Sequence, residues 1–219
     1  MGINLKRSNY AFKYPFERMA AYASGAASTY LDVSQARALD FGFGGGRHLK
    51  VLSDLGYDVY GIDISEDAID TTRYNFGEDL VNRVKLTIDN ILDHQVYPEG
   101  YFDVILTAGV IWSAGYDLLI AFMDRLVPLI KDNGYLIANF KTKFDDLYSS
   151  GQQVSDGGKS VYVPEYSNKW AFLDIDDLKE LMERYNLEIE KLERYERYCN
   201  NEVRLSYWDV AARKNSNIW

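Results

Sequence analysis

The sequence predicts an α/β protein built on a doubly wound, mostly parallel sheet, with helices on both faces and an antiparallel hairpin at its C-terminal end. Three observations carry this. Five short apolar runs alternate with segments whose apolar residues recur at helical spacing, the pattern of successive β–α–β units. A glycine cluster at Gly42, Gly44, Gly45 and Gly46 follows directly on the first run. Two long strand-like segments near the end are joined only through Cys199-Asn200-Asn201-Glu202, and so short a link permits only antiparallel pairing.

The elements follow in order. Met19–Leu31 reads as an amphipathic helix running into a turn; Ser24, Gly25, Ser28 and Thr29 break it too often for a targeting core. Ala36–Phe41 is the first strand. Leu49, Val51, Leu52 and Leu55 then mark a helix that Gly56 ends. Val59–Ile62 is the second strand, followed by Ser65 as an expected N-cap with Glu66 and Asp67 in the first turn. Val84–Ile88 alternates with Lys85 and Thr87, and Phe102–Thr107 reads as a buried strand. Leu119, Phe122, Met123, Leu126 and Ile130 form a helical stripe closed by Lys131-Asp132-Asn133-Gly134, and Tyr135–Phe140 is the fifth strand. Ile175, Leu178, Leu181, Met182 and Tyr185 make a helix after Asp174; Leu187–Tyr198 and Val203–Arg213 form the hairpin, for seven strands in all. Thr142–Trp170 has little periodicity and holds Ser149, Ser150, Gly151, Gly157 and Gly158, so it is expected to be a long functional loop or a floppy insertion.

Of the 219 residues, 47% are hydrophobic and 26% charged, enough for a core that needs no staple. The 24 Lys and Arg against 33 Asp and Glu leave a net charge of −9, which disfavours general binding to nucleic acid or anionic membrane. The only cysteine is Cys199, so neither an intrachain disulfide nor a cysteine zinc site can form, and a cytoplasmic location is expected. No apolar run is long enough for a transmembrane helix.

The first strand leads into Asp40-Phe41-Gly42-Phe43-Gly44-Gly45-Gly46-Arg47. A dinucleotide-binding turn requires G-x-G-x-x-G, but starting at Gly42 puts Arg47 in the third glycine position, and starting at Gly44 puts Leu49 there. An acid followed by glycines at alternating positions instead resembles the first motif of the class I S-adenosylmethionine-dependent methyltransferases. Asp63 in Tyr-Gly-Ile-Asp-Ile and Asp89-Asn90-Ile91 after the third strand fit the same family, as do the Asn133-Gly134 turn and the terminal hairpin. The resemblance runs from about residue 35 to residue 213 and implies S-adenosyl-L-methionine as cofactor. It also implies a set of cofactor-binding residues: Asp40, Gly42, Phe43, Gly44, Gly46, Asp63, Ile64, Asp89, Asn90, Ile91, Thr107 and Ala108. Asp63 would accept both ribose hydroxyls and Asp89 the adenine amino group, although an acid after a strand also serves as plain turn chemistry. The chain then divides into an N-terminal helical lid (1–34), a cofactor-binding Rossmann-like core (35–141), a lid or acceptor loop (142–173), and a helix with the hairpin completing the same domain (174–219).

The resemblance implies methyl transfer to an oxygen or nitrogen of a small molecule or sugar by direct in-line displacement, in which alignment and exclusion of water do most of the work. No residue declares itself as a general base: His48 lies just inside a helix, His94 in a loop, and no acids follow the fourth and fifth strands to hold a metal, so none is expected. Tyr10, Tyr14, Tyr22 and Trp112 are candidate acceptor or lid aromatics, since aromatic faces attract a sulfonium cation, though each also fits simple packing. Thr107-Ala108-Gly109-Val110 lacks the proline motif of amino-methylating DNA enzymes, so a small-molecule acceptor is favoured over nucleic acid. Three alternatives stand beside this reading: a non-catalytic sensor or accessory module, a protein methyltransferase, and a nicotinamide oxidoreductase disfavoured by Arg47 and Leu49. A homodimer stays open.

Overall fold

The structure, a computed structural model, describes residues 13–30, 32–199 and 203–216. Its sheet runs β3 (Lys85–Ile88), β2 (Asp58–Asp63), β1 (Arg37–Phe41), β4 (Phe102–Thr107) and β5 (Ile130–Thr142), all parallel. Reversal of strand order between β1 and β4 opens a crevice at the carboxyl ends of these strands, the usual ligand position in such sheets. Beyond β5 the sheet forks. Tyr135–Lys141 pairs antiparallel with β10 (Val203–Lys214), which carries β9 (Leu187–Cys199) on its outer side. Lys141 and Thr142 pair parallel with β8 (Asn168–Leu173), which leads outward to β7 (Ser160–Val163) and β6 (Gln152–Gln153).

The terminal hairpin is therefore present, but the sheet has ten strands among the described residues, not seven. The three extra strands and the helix Asp146–Ser150 come from the segment expected to be a loop. Strands of two and four residues are too short to print a period-two pattern, and β8 opens on polar Asn168 and Lys169 before its buried half. A second correction concerns Ser65. The helix after β2 starts at Ala68, with Asp67 at its cap position, and Ser65 lies in the turn before it, its amide donating to the Asp63 carboxylate.

Helices cover both faces. We number them α1 (Glu17–Ala27), α2 (Arg47–Asp54), α3 (Ala68–Phe76), α4 (Glu78–Arg83), α5 (Tyr116–Leu126), α6 (Asp146–Ser150) and α7 (Ile175–Arg184). Strand residues alternate between two cores, as a sheet buried on both sides requires. Leu39, Ile105 and Phe140 pack with Leu119, Met123 and Leu178 of α5 and α7. Ala38, Val104, Leu106 and Ile137 pack with Met19 and Ala23 of α1 and Leu49 of α2. Thus α1 is a core helix covering the sheet. Asp174 caps α7 by accepting from the Asp176 and Asp177 amides, with the Asp177 carboxylate reciprocating, a box worth about 1 kcal/mol.

A buried ion pair holds the fork together. Lys141 is 1% exposed, and its Nζ donates to Asp145 Oδ2 at 2.5 Å. The Asp145 carboxylate also accepts from the backbone amides of Leu147 in α6 and Ser206 in β10. Trp112, Trp170 and Tyr207 surround the ammonium, with ring centroids 5.4, 5.3 and 4.4 Å away. Asp145→Ala should lower unfolding free energy by about 3–5 kcal/mol in urea denaturation, because it strips a buried cation of its carboxylate. A loss below 1 kcal/mol would mean that the aromatic rings alone hold the fork.

Candidate active site

A cavity of about 420 Å3 lies over the carboxyl ends of β1 to β4. The backbone builds one wall. Gly42 and Gly44, after β1, have φ of +73° and +49°, a left-handed region costly for other residues. A Cβ on Gly42 would stand 2.3 Å from Val110 Cγ2, so the turn also needs glycine to let the loop after β4 approach. At Gly44 no heavy atom lies within 4 Å of the Cβ position, and the backbone faces open cleft. Asp63, ending β2, ties this turn down: its Oδ2 accepts from the Gly44 amide and its Oδ1 from the Ser65 amide, both at 2.8 Å.

The opposite rim comes from the end of β3. Asp89 Oδ1 accepts from the Asn90 amide, and His94 Nε2 lies 3.2 Å from Asp89 Oδ2. Asn90 Oδ1 accepts from the Leu92 amide, which turns the chain back under the cleft. Ile64 is 72% exposed at this rim, an apolar branched side chain held out over the cleft beside the Asp63 carboxylate. A flat ring lying there would cover it.

Of the residues expected at the cofactor, Gly42, Gly44, Asp63, Ile64, Asp89, Asn90 and Ile91 line this cavity together. Asp40, Phe43, Gly46, Thr107 and Ala108 stand behind its wall: Gly46 caps α2, and the other four are buried. Tyr10 lies outside the described residues. Tyr14, Tyr22 and Trp112 do not line the cavity. Tyr14 is exposed beside a second cavity, and buried Tyr22 donates its hydroxyl to Glu193. Trp112 is buried and donates Nε1 to Asn139 Oδ1. His48 is buried, accepts at Nε2 from the Phe16 amide, and is pushed down to about 3 by burial and the Arg47 cation. It is a neutral anchor for the N-terminal segment.

Sequence reasoning missed Asn139. It sits in the buried run of β5, and its Oδ1 accepts from both the Gly109 amide and Trp112 Nε1, fixing the loop that floors the cleft. One polar residue within the apolar run Leu136–Phe140 was the available signal.

A doubly wound sheet with a glycine turn at its first strand, an acid at its second and a cleft at its switch point defines an α/β protein that binds a nucleotide-like cofactor. The family model described as "Methyltransferase domain" matches residues 11–192. The ubiquinone biosynthesis O-methyltransferase of Rickettsia typhi is 27% identical over 199 residues, covering 86% of this chain and 78% of that protein. That of Rickettsia bellii is 30% identical over 168 residues, covering 75% and 67%. Among solved structures, a SAM-dependent methyltransferase from Methanosarcina mazei superposes with a TM-score of 0.69 at 18% identity, covering 86% of this chain and 96% of that one. The 1,6-didemethyltoxoflavin-N1-methyltransferase of Burkholderia thailandensis, solved with its substrate and S-adenosylhomocysteine, gives 0.65 at 18% identity, covering 97% and 88%. This chain belongs to the methyltransferase-domain family, and it is an S-adenosylmethionine-dependent methyltransferase.

Behind the glycine turn, burial pushes the Asp40 carboxyl up to about 7, with Asp63 adding and Arg47 and the Leu49 amide opposing. Its Oδ2 has no hydrogen-bond partner among the described residues. A carboxyl raised in the folded state stabilises the fold below its ordinary value of 3.8, and that contribution is lost as pH rises through about 7. Asp40→Asn does not titrate. Relative to this variant, the wild type should lose about 3–5 kcal/mol between pH 4 and pH 8, read by denaturant unfolding at each pH. Parallel profiles would show that the Asp40 carboxyl titrates alike in the folded and unfolded chain.

Proposed function

We propose that the cleft over β1–β4 holds S-adenosylmethionine and that the chain moves the methyl group to an oxygen or nitrogen of a small molecule. The carrying observation is Asp63, an acid at the end of β2 that lines the cavity while its two oxygens accept from the Gly44 and Ser65 amides. A cavity of about 420 Å3 suits a ligand of cofactor size. When bound, the cofactor supplies a methyl group already activated on a sulfonium sulfur.

The chain's own residues then bind, orient and exclude water. Asp63 accepts the ribose hydroxyls, Asp89 and the Asn90–Ile91 backbone meet the adenine edge, and Ile64 covers a ring face. Gly42 and Gly44 bring bare backbone to the amino-acid end. Asp40, Phe43, Gly46, Thr107 and Ala108 hold this wall from behind. Tyr14, exposed beside the second cavity, stays an acceptor or lid aromatic outside the cofactor cleft itself. The small-molecule acceptor is supported by the names of the relatives, one acting in ubiquinone biosynthesis and one on 1,6-didemethyltoxoflavin. Net charge −9 argues against nucleic acid. Among the described residues no helix is long and apolar enough to cross a membrane, and work in the cytoplasm fits the lone Cys199.

Calorimetry should give micromolar affinity for S-adenosylhomocysteine and far weaker binding of NAD; preferential NAD binding overturns the cofactor assignment. Asp63→Ala should weaken S-adenosylhomocysteine binding by about 2–4 kcal/mol, since two charge-assisted hydrogen bonds go at once. It should also lower Tm, because the Gly44 tie is lost. Unchanged affinity in the folded variant would place the ribose elsewhere. Turnover of S-adenosylmethionine against a panel of phenols and amines separates the enzyme from a sensor, which binds and never converts.

A further inference from the structure

The hairpin places two carboxylates directly opposite one another, Asp209 on β10 and Glu193 on β9. Glu193 is fully engaged: it accepts the Tyr22 hydroxyl at 3.1 Å and pairs with Arg18 at 2.9 Å. Asp209 is only 5% exposed, and no hydrogen bond among the described residues reaches its carboxylate. Burial, with the Glu193 charge adding and Arg18 opposing, pushes it up to about 7. Two carboxylates whose surroundings separate them in this way divide the work of a site.

Asp209 also lines the second cavity, of about 410 Å3. Tyr14, Phe16 and Tyr195 give this cavity aromatic walls, and Arg47, which opens α2 directly after the glycine turn, brings it up to that turn. On its other side Asp209 stands opposite Asn139 of β5, so the two side chains share one face about 5 Å apart. Asn139 holds the Gly109 amide at the floor of the cofactor cleft. One cross-strand step separates the acid from that floor.

A neutral hydroxyl is a poor nucleophile until its proton has somewhere to go, and a base serves best when it titrates near the working pH. Glu17 is the other acid on the cavity wall, but it is exposed in the first turn of α1, where water satisfies it.

We propose that the second cavity holds the acceptor as a flat, hydroxyl-bearing aromatic molecule and that Asp209 is its general base. This rests on the cofactor reading above. The acceptor hydroxyl gives its proton to an Asp209 carboxylate oxygen while its oxygen forms the bond to the methyl carbon. The carbon–sulfur bond breaks with its electron pair left on sulfur, which yields the methyl ether and S-adenosylhomocysteine.

Besides Glu193 and Arg18, the charged groups around Asp209 are Glu17, Arg47 and Arg197, so a pH response is assigned with variants. The test uses the full chain with Asp209→Asn, Asp209→Ala and Glu17→Gln, each checked by thermal melting. At saturating S-adenosylhomocysteine, fluorescence titration compares 2-naphthol with 2-methoxynaphthalene, which has the ring and no hydroxyl proton. The wild type should bind 2-naphthol at least tenfold better at about pH 8 and lose most of that preference by about pH 6, since only the ionised carboxylate gives a charge-assisted bond. Asp209→Ala should lose the preference, and Asp209→Asn its pH dependence. For the fastest phenol of the panel above, Asp209→Asn should lower kcat at least a hundredfold and leave KM within about threefold. If nothing in the panel reacts, the naphthol titration decides alone.

The proposal is overturned if the wild type shows no naphthol preference, if both Asp209 variants keep it, or if Glu17→Gln, and not Asp209→Asn, removes the pH response. It is equally overturned by Asp209→Asn turnover within about threefold of the wild type, or by a panel in which amines react and phenols do not. Failure of the cofactor reading looks different: the wild type then does not bind S-adenosylhomocysteine.

Discussion

The turn after β1 is the constraint on which the rest of the site depends. Its backbone must pass through left-handed conformations while the loop after β4 closes to within contact of Gly42. No side chain larger than hydrogen fits there, so the cleft, the start of α2 and the placement of Val110 follow from one steric fact. The Asp63 carboxylate converts that turn into a fixed object by accepting from Gly44 and Ser65 at once. The same carboxylate faces the cleft, so the group that shapes the turn is also the group best placed to hold a ligand hydroxyl. Structure and binding share one side chain.

The far end of the sheet solves a different problem. β5 is the only strand among those described that feeds two branches, and each branch leaves backbone polar groups to be satisfied at the point of divergence. Asp145 answers by accepting from Lys141 and from amides of α6 and β10. Thr142 Oγ1 donating to Ser206 Oγ, and Trp208 Nε1 donating to the Leu173 carbonyl, stitch the two branches together. The aromatic rings around Lys141 include Trp112, whose own Nε1 reaches Asn139, and Asn139 holds the Gly109 amide at the cleft. The fork and the ligand cleft are thus joined by a short chain of buried polar contacts.

Charge is distributed unevenly around the turn. Asp40, Arg47 and His48 lie together behind it, where burial shifts all three and the Arg47 cation lowers both of the others. Burial holds His48 neutral, so it serves as an acceptor for the Phe16 amide and ties the segment ahead of α1 to the glycine turn. Phe16 completes the link by lying under the Arg47 guanidinium. The N-terminal segment is thereby fixed against the back of the glycine turn.

The sequence by itself determined the doubly wound core, the hairpin and the cluster from Gly42 through Ile91, because each is written in local signals. Apolar runs of strand length, a glycine spacing and an acid at a strand end depend on neighbours only a few residues away. Asp40-x-Gly-x-Gly-x-Gly was enough to set aside the dinucleotide turn, and the four-residue link at Cys199–Glu202 was enough to require antiparallel pairing. What only the tertiary structure decided are pairings between residues far apart in the chain. The strands at 152–173 exist because β8 finds the free end of β5, a partner about thirty residues away that no local period records. Asn139 is defined by Gly109 and Trp112, about thirty residues before it. Arg47 and Arg197 line one cavity across 150 positions for the same reason: burial and charge act through space, while the signals legible in a sequence act along it.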